Sequence, residues 1–110
     1  MKHLICALLL QSGCLSARAA EPPCAAQAQE RAPQLLAFHL GKGFEERMGF
    51  EGPRLKSPLR NPANPKQTFT VLEIDAYVSP HGRYRMRFIF SVMPNGCSLM
   101  GEEILELANR

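Results

Sequence analysis

Arg83-Tyr84-Arg85-Met86-Arg87-Phe88-Ile89-Phe90-Ser91-Val92-Met93 decides how this chain is read. Tyr84, Met86, Phe88, Phe90 and Val92 take every second position, and Arg83, Arg85 and Arg87 fall between them. A period of two places the apolar set on one face of a β-strand and the arginines on the other. Ser79-Pro80-His81-Gly82 precedes the stretch and Met93-Pro94-Asn95-Gly96 closes it. Both read x-Pro-x-Gly, where proline presets the first central position of a turn and glycine takes the left-handed one. The stretch is therefore the middle strand of an antiparallel meander.

Its neighbours follow. From Thr68 to Val78, Thr70, Leu72, Ile74, Ala76 and Val78 alternate with Val71, Glu73, Asp75 and Tyr77, which predicts a strand. Closing that hairpin at Ser79 and Arg83 sets Ala76 against Met86, Ile74 against Phe88 and Leu72 against Phe90, with Asp75 against Arg87 on the other side. A third strand runs from Cys97 to about Leu107. Its register has two readings. Closure at Met93 and Cys97 sets Glu103 beside Arg87 and Glu102 beside Phe88. A tighter turn sets Met86 by Leu105, Val92 by Leu99 and Glu106 by Arg85, and leaves Glu103 by Phe88. In both, one carboxylate falls on the apolar side.

Ahead of the strands, Cys24 to Arg31 is rich in alanine and glutamine, good helix formers. Pro33 kinks that helix or starts a second one. Leu35, Leu36, Phe38, His39 and Leu40 form a stripe at helical spacing that covers the apolar sheet face, and Gly41 caps it. Residues 50–67 carry Pro53, Pro58, Pro62 and Pro65 with Arg54, Lys56, Arg60 and Lys66, and read as an irregular basic loop. The expected fold is α+β: an N-terminal helix, continuous or broken at Pro33, packed on a three-stranded antiparallel meander.

The front of the chain has a different layout. Lys2 and His3 precede the apolar run Leu4-Ile5-Cys6-Ala7-Leu8-Leu9-Leu10, and Ala17-Arg18-Ala19 offers a small-residue cleavage site. That is the layout of a secretory leader over residues 1–20, too short to span a bilayer core of about 30 Å. Residues 21–110 then form one small domain. A lipid anchor at Cys14 is the competing reading, although Gln11 stands where bacterial lipid-attachment motifs place leucine. Loss of Lys2 and Arg18 with the leader leaves eleven basic residues against ten acidic ones. So balanced a charge gives no footprint for nucleic acid.

Cys6 and Cys14 depart with the leader, leaving Cys24 and Cys97 as a disulfide in an oxidising compartment. The expected location is periplasmic or secreted. Catalytic signatures are absent from the sequence: no phosphate loop, no zinc-ligand spacing, no nucleophile elbow, and therefore no metal or cofactor is expected. His39 and His81 lack a nucleophile beside them in sequence, and a small enzyme would have to combine His39 with Glu103. The sharper feature is cationic. Arg83, Arg85 and Arg87, extended by Arg54, Lys56 and Arg60, could dock a protein or an anionic envelope component. The plainer account of the same arginines is cross-strand pairing with Glu73, Asp75 and a glutamate of the third strand. The expectation is an exported binding protein without catalysis, with a structural envelope lipoprotein as the alternative.

Overall fold

The computed structural model describes residues 21–108. The leader expected over 1–20 and the Cys14 lipidation site lie outside them. One helix, α1 (Ala25–Leu40), leads through a short 3-10 turn (Glu45–Arg47) into β1 (Met48–Asn61), β2 (Asn64–Val78), β3 (Gly82–Met93) and β4 (Gly96–Glu106). The strands form one antiparallel sheet in the order β1-β2-β3-β4. The class is α+β, but the sheet has four strands rather than three.

The extra strand is the segment expected to be a basic loop. Each of its prolines falls where a ladder tolerates one. Pairing of β1 with β2 slips between Glu51 and Arg54, around Pro53, and again between Lys56 and Leu59, around Pro58. Pro62 sits in the turn between Asn61 and Asn64. Proline cannot donate to a ladder, so an edge strand with bulges is the place for it. Gly52 belongs to the first bulge, at φ 120°. A Cβ there would lie 2.9 Å from the Glu73 carbonyl oxygen, so the bend requires glycine.

The helix is continuous through Pro33. Pro33 and Gln29, whose carbonyl loses its usual partner, are both exposed, so the helix tolerates proline on its solvent side. The buried stripe matches the expected one in part: Leu35 and Leu36 are buried and Leu40 packs against the core, but the stripe extends back along the alanines. Ala25, Ala28, Ala32, Leu35 and Leu36 face inward, whereas Phe38 is 87% exposed. Small residues along the first half of α1 let the helix approach the sheet closely. Ala28, Ala32, Leu35 and Leu36 join Leu72, Ile74, Ala76 and Val78 of β2 and Tyr84, Met86, Phe88 and Phe90 of β3 in one core cluster. The Gly41 N–H caps the helix end by donating to the Ala37 carbonyl at 2.8 Å.

Cys24 and Cys97 are joined, with Cα atoms 5.9 Å apart across 73 residues of sequence. The bond ties the start of α1 to the start of β4. Cys24 takes a left-handed φ of 69° just before the helix, a conformation that a covalent tie and a buried site can enforce.

The first hairpin keeps a three-residue loop but places it one residue earlier than expected, and the second combines the two readings, with a two-residue turn at its end and the Glu103–Arg87 register beyond a bulge. β2 and β3 meet at Val78 and Gly82, and Ile74 faces Met86, Leu72 faces Phe88, Asp75 faces Arg85 and Glu73 faces Arg87. Relative to the expected register the pairing moves by two positions, which keeps every side chain on its face. Gly82 fits opposite Val78 because a Cβ there would lie 3.1 Å from the Val78 Cβ and 3.2 Å from the Tyr84 ring. The second hairpin closes at Met93 and Gly96, then absorbs one extra residue, Met100, between the Phe90–Leu99 and Ile89–Gly101 pairs. Beyond that bulge Glu102 lies across from Phe88 and Glu103 across from Arg87.

Candidate binding face

Helix α1 covers one side of the sheet and leaves the other open. Even-numbered residues of β2 and β3 point to the helix, and odd-numbered ones line the open face. Arg54 opposes Glu73 and Lys56 opposes Val71, so both join Arg83, Arg85 and Arg87 there. Arg60 does not. It opposes Thr68, an even position, and so lies on the opposite side from the other five.

The five cations are interlaced with acids. Glu73 is the hub, its side chain only 4% exposed. Arg54 donates from Nη2 to Glu73 Oε1 at 2.9 Å, and Arg87 donates from Nε to Glu73 Oε2 at 2.9 Å. Lys56 and Arg85 stand farther off, at 3.9 Å and 3.8 Å. Asp75 receives Arg85 Nε at 3.3 Å and lies 3.0 Å from Arg54 Nη2. Glu103 reaches Arg87 Nη1 at 3.7 Å. Arg83, across from Tyr77, has no ion pair among the described residues. Burial alone would push the Glu73 carboxyl up. Hydrogen bonds from Arg54 and Arg87, with the fields of Lys56 and Arg85, outweigh burial and hold it below the usual carboxylate range.

With Glu51 opposite Asp75, four carboxylates answer the five cations, so the face carries little net charge. It is not the bare arginine surface that the strand pattern alone implies. The Arg54, Arg85 and Arg87 guanidinium groups are held by partners and half-exposed, which fixes the direction of their remaining N–H donors.

Beside this lattice the open face turns apolar. Lys56, Leu59, Val71, Arg87, Ile89 and Glu103 line a cleft of about 440 Å³. A smaller hollow of about 220 Å³ adjoins it, between Arg85, Arg87, Glu103 and Leu105. Arg87 and Glu103 line both. The arrangement can take an apolar side chain on Val71 and Ile89 while offering cationic donors at the rim, from Lys56 and Arg87.

The carboxylate expected to sit awkwardly is Glu102, and it is satisfied. It points to the helix side opposite Phe88, where Arg31 of α1 clamps it with Nε–Oε1 at 2.8 Å and Nη2–Oε2 at 2.6 Å. The Arg31 hydrogen bonds, working against burial, hold the Glu102 carboxyl below its ordinary value. Sequence reading missed Arg31. A signal was there: Arg31 lies three residues after Ala28 and beside Ala32, so it flanks the buried stripe, half-exposed, where it can reach the carboxylate that interrupts the apolar strand face.

His39 packs its ring edge-on against Tyr84, centroids 5.7 Å apart, on the helix side. Glu103 lies on the open side. The sheet separates them, so the pair expected for a small enzyme is not assembled. His81 is exposed in the β2–β3 turn. Among the described residues no cluster of three or more His, Cys, Asp or Glu side chains could hold a metal ion. No helix among them is long and apolar enough to cross a membrane. Compared with known proteins, the chain matches no family model, no curated protein and no solved structure.

Proposed function

We propose that this is an exported binding protein that docks a protein partner on the open face of its sheet, without catalysis of its own. The carrying observation is the apolar cleft set into an ion-paired lattice on the side that α1 leaves uncovered. A polyanion such as an envelope polymer needs uncompensated positive potential, and here nearly every cation is answered. A folded partner needs a pocket for an anchor with polar groups placed around it. The fitting occupant is an aliphatic or aromatic side chain with a carboxylate beside it, the chain on Val71 and Ile89 and the carboxylate at Lys56 and Arg87. The Cys24–Cys97 bond is compatible with a periplasmic or secreted location, as is the leader layout of residues 1–20.

The test is site-specific photo-crosslinking in the producing cell, with the probe at Leu59 beside the cleft and at Phe38 on the helix side as control. A discrete protein adduct from position 59 that disappears on Ile89→Asp, with none from position 38, supports the reading. Equal labelling from both positions, or adducts only to carbohydrate or lipid, overturns it. Mass spectrometry of the mature N-terminus tests export directly: a start near Glu21 is expected, and an acylated Cys14 at the N-terminus would refute the free, leaderless form.

A further inference from the structure

The turns of an antiparallel meander alternate between its ends, so β1–β2 and β3–β4 turn at one end and β2–β3 at the other. β2 and β3 are last paired at Thr70 and Phe90. Beyond that pair the two hairpins run on to separate tips, closing at Asn61 and Asn64 and at Met93 and Gly96. The β1–β2 tip carries Arg60 and Lys66, both exposed and without an ion pair among the described residues. No Asp or Glu occurs between Glu51 and Glu73. The β3–β4 tip has no charged residue of either sign from Phe88 to Gly101. Yet Val92 is 52%, Met93 46% and Met100 56% exposed there. The strands thus bring cations and bare apolar side chains to one end of the sheet. Against them, the Cys24–Cys97 bond brings Glu21 toward that end, one acid against two unpaired bases.

We infer that this end docks the protein on an anionic lipid bilayer, the β3–β4 tip entering the headgroup region and Arg60 and Lys66 taking lipid phosphates. Binding to a membrane surface grows with the apolar area buried and with attraction to anionic headgroups, and this end supplies both. The apolar groups stand on hairpin ends, which are convex. A folded protein partner would need a matching hollow for each tip, whereas a fluid interface closes around them. The cations here are unanswered, unlike those of the open face, so charge can attract a polyanionic surface at this end. The site is also separate from the open-face cleft, because Arg60 lies on the other side of the sheet.

Co-sedimentation with vesicles decides it, with circular dichroism confirming that each variant is folded. The disulfide-bonded protein should bind vesicles of phosphatidylcholine mixed with phosphatidylglycerol and not vesicles of phosphatidylcholine alone, and added salt should release it. Arg60→Gln with Lys66→Gln should weaken binding roughly 10-fold or more. Met93→Ser with Met100→Ser should weaken it by a comparable factor. Arg83→Gln removes a cation without an ion pair at the far end of the sheet, and should leave binding unchanged. No binding to either vesicle overturns the proposal. So does equal binding to both, or a loss on Arg83→Gln as large as that from the paired substitution. Loss on removing Arg60 and Lys66 with indifference to the methionines would mark an acidic macromolecule as the occupant, and overturns it as well. No protein partner enters the assay, so its outcome is independent of what the cleft binds.

Discussion

Glu73→Gln removes the hub of the open-face lattice while keeping its shape. The native carboxylate accepts from Arg54 and from Arg87, each at 2.9 Å, with its side chain 4% exposed. Two charge-assisted hydrogen bonds in a buried site are together on the order of 3–6 kcal/mol. The arginines are 39% and 46% exposed, so water screens them and the sum is to be roughly halved. Glutamine retains one acceptor oxygen but turns an NH2 group toward one arginine. The expected loss at neutral pH is about 2 kcal/mol. Glu103→Gln is the control, because its contact with Arg87 is 3.7 Å long and its side chain 62% exposed. It should cost less than about 0.5 kcal/mol. Urea unfolding followed by circular dichroism measures both. The pH dependence adds a second check. The Glu73 carboxyl is depressed in the folded state, so its stabilisation is fully present above the unfolded value of about 4.3 and fades as pH falls through the lower folded value. The wild-type and Glu73→Gln stabilities should converge over that acid window. A loss no greater than that of Glu103→Gln, or a gap that persists unchanged into acid, would refute the claim that this carboxylate organises the face.

Reduction of Cys24–Cys97, or its replacement by serines, should lower stability by about 4 kcal/mol for a closed loop of this length, read by thermal unfolding with and without reductant. Pro33→Ala restores a backbone donor on the exposed side of α1 and should raise stability by about 1–3 kcal/mol, seen as a higher Tm. Gly52→Ala meets both a φ of 120° and the Glu73 carbonyl at 2.9 Å, and should lose at least ~1 kcal/mol in the same assay. Arg31→Ala and Glu102→Ala should be coupled by about 1 kcal/mol in a double-mutant cycle, while Arg31→Met with Glu102→Leu should recover most of the loss.

What could be read in advance follows from which patterns are redundant. The alternation in β3 is carried by five apolar positions against three arginines, so one odd residue could not hide it. The disulfide followed from there being two cysteines beyond the leader. β1 was illegible for a physical reason: proline argues against a strand wherever the ladder must be regular, and an edge strand is where that argument fails. The first hairpin's register was out by two because apolar pairing is indifferent to an even shift. Charge was not indifferent. In the register found, Asp75 meets Arg85 and Glu73 meets Arg87, two complementary pairs where the expected register had one. The helix stripe was legible in Leu35, Leu36 and Leu40, but large side chains alone do not mark the first half of α1. Close approach to the sheet instead selects alanine, so Ala25, Ala28 and Ala32 mark the buried face and Phe38 is left outside.

Arg31 and Glu102 point to a rule that extends to the open face. Each residue sits against apolar surroundings: a half-exposed cation at the margin of the buried helical stripe, a part-buried anion on an apolar strand face. A part-buried carboxylate gains from a cation at its side, so the two opposite charges are best explained by each other. Glu73 obeys the same logic at higher coordination. It is the most enclosed acid among the described residues, and the arginines of β3 lie beside it where the alternation requires them. Read this way, the arginine ladder is first a solution to burying Glu73. Its capacity to bind is what remains after that need is met: the outward N–H donors of Arg87 and the loosely held ammonium of Lys56, both at the rim of the apolar cleft. Any partner that uses this face must therefore bring an apolar anchor, since charge alone finds the face already answered.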